Sequence, residues 1–220
     1  MKTSCRHLVS VLIIFIMFPL QAIAEARWQV IGVELMFNTN IPYPDDPDSG
    51  GLIARDAMEF DLFVMENPQI EVIAVSGDGG YGPSSVKISE TILKFGLDTR
   101  AFGDCLSACA RIFLAGSSRT LSEGASLGFH RPYVTGEEER AYYLAHRQNR
   151  GWKDEFDYVE FIYDVGLIDM LETTDFMLSR GVTFKFIRQA YSFDSYQMWR
   201  PAPEVLLSNG VITVGPLSGR

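Results

Sequence analysis

The chain is 220 residues long, 47% hydrophobic and 21% charged, with a formal net charge of −9. So acidic a chain, with no basic run, argues against nucleic acid or anionic lipid as a partner held by bulk charge. It has no repeats, low-complexity tracts or linkers, and its length suits one domain with a sizeable core.

The first 24 residues read apart from the rest. Lys2 and Arg6 precede an apolar run from Leu8 to Leu20, and Ala22-Ile23-Ala24 forms a small-x-small cleavage pattern before Glu25. That layout is a secretory signal peptide, because the run is short for a membrane span and contains Pro19. An uncleaved anchor is the competing reading. Cys5 precedes the apolar run, which argues against a lipoprotein. Removing residues 1–24 takes away Lys2 and Arg6 and no acid, so residues 25–220 carry −11. They are expected to form a single exported, soluble domain, periplasmic or secreted.

Within that domain, strand-forming and helix-forming segments alternate. Trp28 to Leu35 has strand composition, Asn38 to Gly51 is a Pro/Asp/Gly-rich loop, and Ile53 to Met65 carries apolar residues at helical spacing. Glu71 to Val75 is a β-branched run that reads as a buried strand. It ends in Ser76-Gly77-Asp78-Gly79-Gly80. A helix from Ser85 to Phe95 and a strand from Asp98 to Phe102 then lead into Gly103-Asp104-Cys105-Leu106-Ser107-Ala108-Cys109-Ala110. Here a serine sits in a small-residue turn at the head of an apolar helix. Such a turn exposes Oγ, and the helix N-terminus points its N–H groups at any oxyanion formed there. Ser117 to Arg119 is a polar turn, and the apolar segment Ala125 to Phe129 delivers His130 just before Arg131 and Pro132. A histidine at a strand end can supply the base that such a serine needs.

Beyond His130 the character becomes helical. Thr135 with Glu138 makes a capping box opening a helix to about Asn149. Helices are expected over Lys153 to Val165 and Asp169 to Ser179, the latter stopped by Gly181, with a short one from Phe184 to Tyr191. Pro203 starts a turn of helix that Asn209-Gly210 ends, and Val211 to Val214 reads as a last strand.

The ordered set of strand, GDGG, helix, strand, GDCLSACA, helix, strand and FHRP resembles the Clp protease (caseinolytic) and crotonase superfamily, closest to exported Clp-like proteins of bacteria. The likeness covers about 72–132 well and WRPAPEVLLSNGVITV at 199–214 weakly. It implies an α/β fold with repeated β-β-α units, here with a helical excursion over 135–191. It also implies a serine peptidase that needs no cofactor. Carried over by position, Ser107 matches the nucleophile and His130 the general base. The N–H of Ala108 and of Gly79 or Gly80 would make the oxyanion hole. The third catalytic member would be an aspartate that partners the histidine's charge; Asp194 falls near the family's position but slightly out of register, which leaves Asp164, Asp169 and Asp175 as other candidates. The expected substrate is a peptide or protein. A homo-oligomer is implied, but no ATP-driven unfoldase, since ATP is lacking outside the cytoplasm.

Each of these residues also has a plainer reading. Ser107 could be a helix N-cap, His130 a buried structural imidazole, and Gly79-Gly80 a simple turn. His146 reads as solvated and Glu137 to Glu139 as a helix-start charge run. With the leader gone only Cys105 and Cys109 remain, and in an exported protein a disulfide is the first reading. A metal site would need two more ligands, with only His130 nearby. Three other functions stay open: a non-catalytic Clp-like binding or assembly module, an acyl-CoA enzyme, and a serine–lysine dyad through Lys87 or Lys94.

Overall fold

A computed structural model describes residues 26–215 apart from 133 and 195; the expected leader at 1–24 lies outside the described residues. Trp28–Ile31 (β1) and Glu34–Asn38 (β2) form an antiparallel hairpin in which Trp28 faces Phe37. The two rings stack with centroids 3.8 Å apart. One strand over 28–35 was expected from composition; Gly32, at φ 62°, divides it, because a two-residue hairpin turn needs the left-handed backbone that glycine adopts without strain.

From β2 the sheet continues in parallel through Val72–Gly77 (β3) and Asp98–Leu106 (β4), with Ala54–Glu66 (α1) and Gly82–Phe95 (α2) as crossovers. Ile73, Ala74 and Val75 are fully buried, as a strand covered on both faces must be. Arg119–Leu121 (β5) pairs with the first half of β4 and Ser126–Gly128 (β6) with its second half. The β-β-α unit thus appears at either end of the sheet sequence, with single strand–helix steps between. β4 was expected to end at Phe102. It runs four residues further because its second half is paired on both sides, Cys105 with Gly77 and with Leu127. The strand therefore feeds directly into the serine turn and into Ala108–Leu114 (α3).

Gly136–Arg150 (α4) starts with the expected capping box, the Thr135 side chain accepting from the Glu138 N–H. Glu155–Ser179 (α5) is one helix where two were expected. Gly166 is not enough to break it: a lone glycine costs about 1 kcal/mol, less than abandoning the hydrogen bonds of a propagating helix. No described helix is long and apolar enough to cross a membrane. Phe184–Ser192 (α6) and Pro203–Ser208 (α7) follow. Met177, Val182, Phe186, Ile187 and Leu206 join the sheet's buried side chains in one core.

The expected last strand over 211–214 is not a strand. The carbonyls of Gly210 and Val211 are taken by the buried guanidinium of Arg119, which also holds those of Gly116 and Arg180. Burial, with Arg180 alongside, pushes the Arg119 pKa down to about 10. The Thr213 N–H donates to the Arg119 carbonyl of β5 at 3.1 Å.

The continuity of α5 is testable. A Cβ on Gly166 would meet nothing within 4 Å, so Gly166→Ala should raise stability by about 0.5–1 kcal/mol. A urea titration showing no gain would mean that the helix breaks there.

Candidate active site

Three parallel strands end at one edge of the sheet, and their C-terminal turns supply the candidate residues. β3 ends in the glycine loop, β4 in Ser107, and β6 leads to His130. Ser107 has φ 54° and ψ −120°, and among the described residues it is the one non-glycine with positive φ. An L-residue held there costs of order 1–3 kcal/mol, and the surroundings have to enforce it. Its N–H donates to the Gly128 carbonyl at 2.9 Å, while its own carbonyl accepts from Ala110 at 3.0 Å. The hydroxyl caps no helical N–H, so the N-cap reading fails. Instead, Ser107 Oγ lies 2.7 Å from His130 Nε2.

His130 owes its place to Phe129, which exchanges two backbone hydrogen bonds with Trp199 at 2.9 and 2.8 Å. The Phe129 ring packs edge-on against Phe186. Sequence reasoning saw Trp199 only as the start of a weakly matching segment; its role as the clamp on the histidine strand has no local signal. Arg131, the next residue, pairs with Asp194 at 2.9 Å, and the Asp194 side chain is 59% exposed. Asp164, Asp169 and Asp175 all lie on α5. His146 is half-buried on α4, stacked on Tyr142. Lys87 is paired with Glu90 on the exposed face of α2.

Gly79 packs directly on the serine turn. A Cβ there would stand 2.8 Å from Ser107 Cβ and 3.1 Å from the Ala108 nitrogen, at φ 98°. Only glycine allows that approach. Gly80, at φ 130°, is pressed against the backbone of Leu52, where a Cβ would lie 2.5 Å from the carbonyl oxygen. Gly80→Ala would therefore disrupt the loop itself. Leu52 N–H donates to the Gly79 carbonyl at 2.6 Å, and Tyr81 N–H to the Leu52 carbonyl at 2.7 Å. Among the described residues no backbone acceptor faces the N–H of Gly79 or of Gly80. The N–H of Ala108, in the first turn of α3, has no acceptor within its helix.

Cys105, at the end of β4, and Cys109, in α3, form a disulfide with Cα atoms 5.1 Å apart. The bridge spans strand and helix rather than one helical face, and it encloses Ser107. On the rim, Asp104 accepts from the Ser126 hydroxyl and from Arg200, both of which hold its carboxyl below the usual range.

The sequence matches no family model and no curated protein. The structure is similar to ClpP1 from Listeria monocytogenes, with a TM-score of 0.53 at 11% identity over 77% of this chain and 88% of that one. A point variant of the same ClpP1 gives 0.51 at 13% identity with the same coverage. The chain has the Clp fold. In the Clp-like body the serine turn, the histidine strand end and the glycine loop occupy one edge, with α4 and α5 as the excursion beyond it.

The strain at Ser107 makes a sharp prediction. Ser107→Gly should remove the hydroxyl yet stabilise the protein by about 1 kcal/mol, because glycine relaxes that backbone. Thermal unfolding showing a loss of stability would mean that the turn is not strained.

Proposed function

We propose that the protein is an exported serine hydrolase of the Clp type, acting on peptide or protein substrates. The observation that carries this reading is the 2.7 Å contact of His130 Nε2 with a Ser107 hydroxyl raised on a strained strand-to-helix turn. Ser107 Oγ attacks the substrate carbonyl while His130 Nε2 takes its proton. The oxyanion so formed accepts hydrogen bonds from the N–H of Ala108 and of Gly79 or Gly80. Collapse of the tetrahedral adduct expels the amine, which receives the proton from His130. Water, deprotonated by His130, then attacks the acyl-serine, and His130 returns that proton to Ser107 Oγ as the acid leaves. Asp194 in this scheme holds Arg131, and through it the chain that carries His130.

The reading as an exported protein is supported by the Cys105–Cys109 bridge, which persists in oxidising compartments. Assembly with further copies is supported by α5, where Phe156, Val159, Tyr163 and Leu171 are exposed apolar side chains. Such a face also favours the second reading, a binding or assembly module that has lost catalysis.

A fluorophosphonate distinguishes the two. Wild type should be labelled on Ser107, and Ser107→Ala or His130→Ala should abolish labelling and hydrolysis nearly completely. The double variant should lose no more than either single one, because a nucleophile and its base fail together. A folded Ser107→Ala protein that still hydrolyses at the wild-type rate would end the proposal. Export has its own check: protein taken from its native envelope should begin at Glu25, with Cys105 and Cys109 joined in unreduced peptides.

A further inference from the structure

Just before β1, Arg27 is 4% exposed, and the carboxylate opposite it, Asp56 on α1, is fully buried. Arg27 Nε and Nη2 bind the two Asp56 oxygens at 2.8 and 2.6 Å. The remaining donors reach the carbonyls of Thr39, Ile41, Ser49 and Gly51 at 2.7–3.3 Å. Asp56 also accepts from the Ile53 N–H and the Tyr43 hydroxyl, both within 2.8 Å. One guanidinium therefore fixes the path of the whole loop from 39 to 53.

That loop in turn braces the glycine loop at several points. Thr39 N–H donates to the Ser76 carbonyl, and Asn40 Oδ1 accepts from the Asp78 N–H at 3.0 Å. Leu52 clasps Gly79 and Tyr81 through its own N–H and carbonyl, and the Ser84 hydroxyl donates to the Ile53 carbonyl. Gly79 lies at the far end of this chain, against Ser107 Cβ.

We propose that Arg27, through Asp56 and the 39–53 loop, is the positioning residue for the oxyanion amides of Gly79 and Gly80. The proposal rests on the serine-hydrolase reading. Arg27 lies behind the loop, outside the reacting atoms. Its planar fork serves two carboxylate oxygens and four carbonyls at once, which the single ammonium of lysine cannot do. A small displacement of an oxyanion donor is enough to slow the chemistry strongly.

The test compares wild type, Arg27→Lys and Asn40→Ala with a fluorophosphonate as probe, together with amide hydrogen exchange over 76–82. Asn40 is exposed, so its substitution spares the fold even if the buried Arg27→Lys does not refold. Arg27→Lys should slow the maximal labelling rate roughly tenfold or more, with the probe's half-saturation concentration within about twofold. Asn40→Ala should slow it roughly threefold. The labelled fraction should still reach completion in each, whereas partial unfolding would lower the fraction and not the rate. Exchange at Asp78 and Tyr81, whose N–H groups are held by Asn40 Oδ1 and by the Leu52 carbonyl, should accelerate in both variants. Wild-type rates and unchanged exchange in a folded Arg27→Lys, or in Asn40→Ala alone, would overturn the positioning role. Wild type that never labels, with exchange still accelerated in the variants, would instead sink the hydrolase reading and leave Arg27 as the brace of the loop.

Discussion

Everything at the carboxyl edge of this sheet depends on keeping one serine in a conformation that an L-residue avoids. At φ 54° and ψ −120°, Ser107 would relax if its neighbours let it. They do not. β4 is paired with β3 up to Cys105 and with β6 up to Leu106, the Ser107 amide is bonded to Gly128, and α3 begins at the next residue. A disulfide from Cys105 to Cys109 closes the turn across its base. The strain is the means by which the hydroxyl stands clear of the backbone and meets His130, rather than folding back to cap α3.

The supports are layered from the centre outwards. Gly79 touches the serine turn, Leu52 holds Gly79, and Arg27 holds the loop that carries Leu52. At the opposite end of the molecule Arg119 plays a parallel part, collecting carbonyls from Gly116, Arg180, Gly210 and Val211. Both arginines are buried, and both are satisfied mainly by backbone carbonyls rather than by side chains. A buried ion pair such as Arg27–Asp56 adds little net stability, because desolvation offsets attraction. What it supplies is a single permitted loop path.

The sequence was most legible where chemistry and local geometry coincide. GDCLSACA and FHRP pointed to Ser107 and His130 through the family resemblance, and the structure brings the two side chains to 2.7 Å. The capping box at Thr135 was equally plain. Pairing between distant segments was not legible: the length of β4 is set by Gly77 and Leu127, neither of which marks Phe102 as an interior position. Gly166 and Gly32 show the limit of reading glycine as a break. The first lies within a long helix and is carried through by it. The second stands at a hairpin and does divide the strand. Arg27 and Asp56 were missed because a charged residue ahead of a strand and an acid in a first helical turn both look solvated.

Because Arg27 grips carbonyl oxygens, which every amino acid carries, it places little demand on the side chains at Thr39, Ile41, Ser49 and Gly51. Much of the loop's sequence is free to drift while its course is retained, provided the arginine and its aspartate stay, with Tyr43 on Asp56 and Asn40 on Asp78. Two proteins sharing this brace could have unrelated letters at most positions of the segment. Kinship here would be recorded in a pair of charges 29 positions apart, not in the stretch they organise.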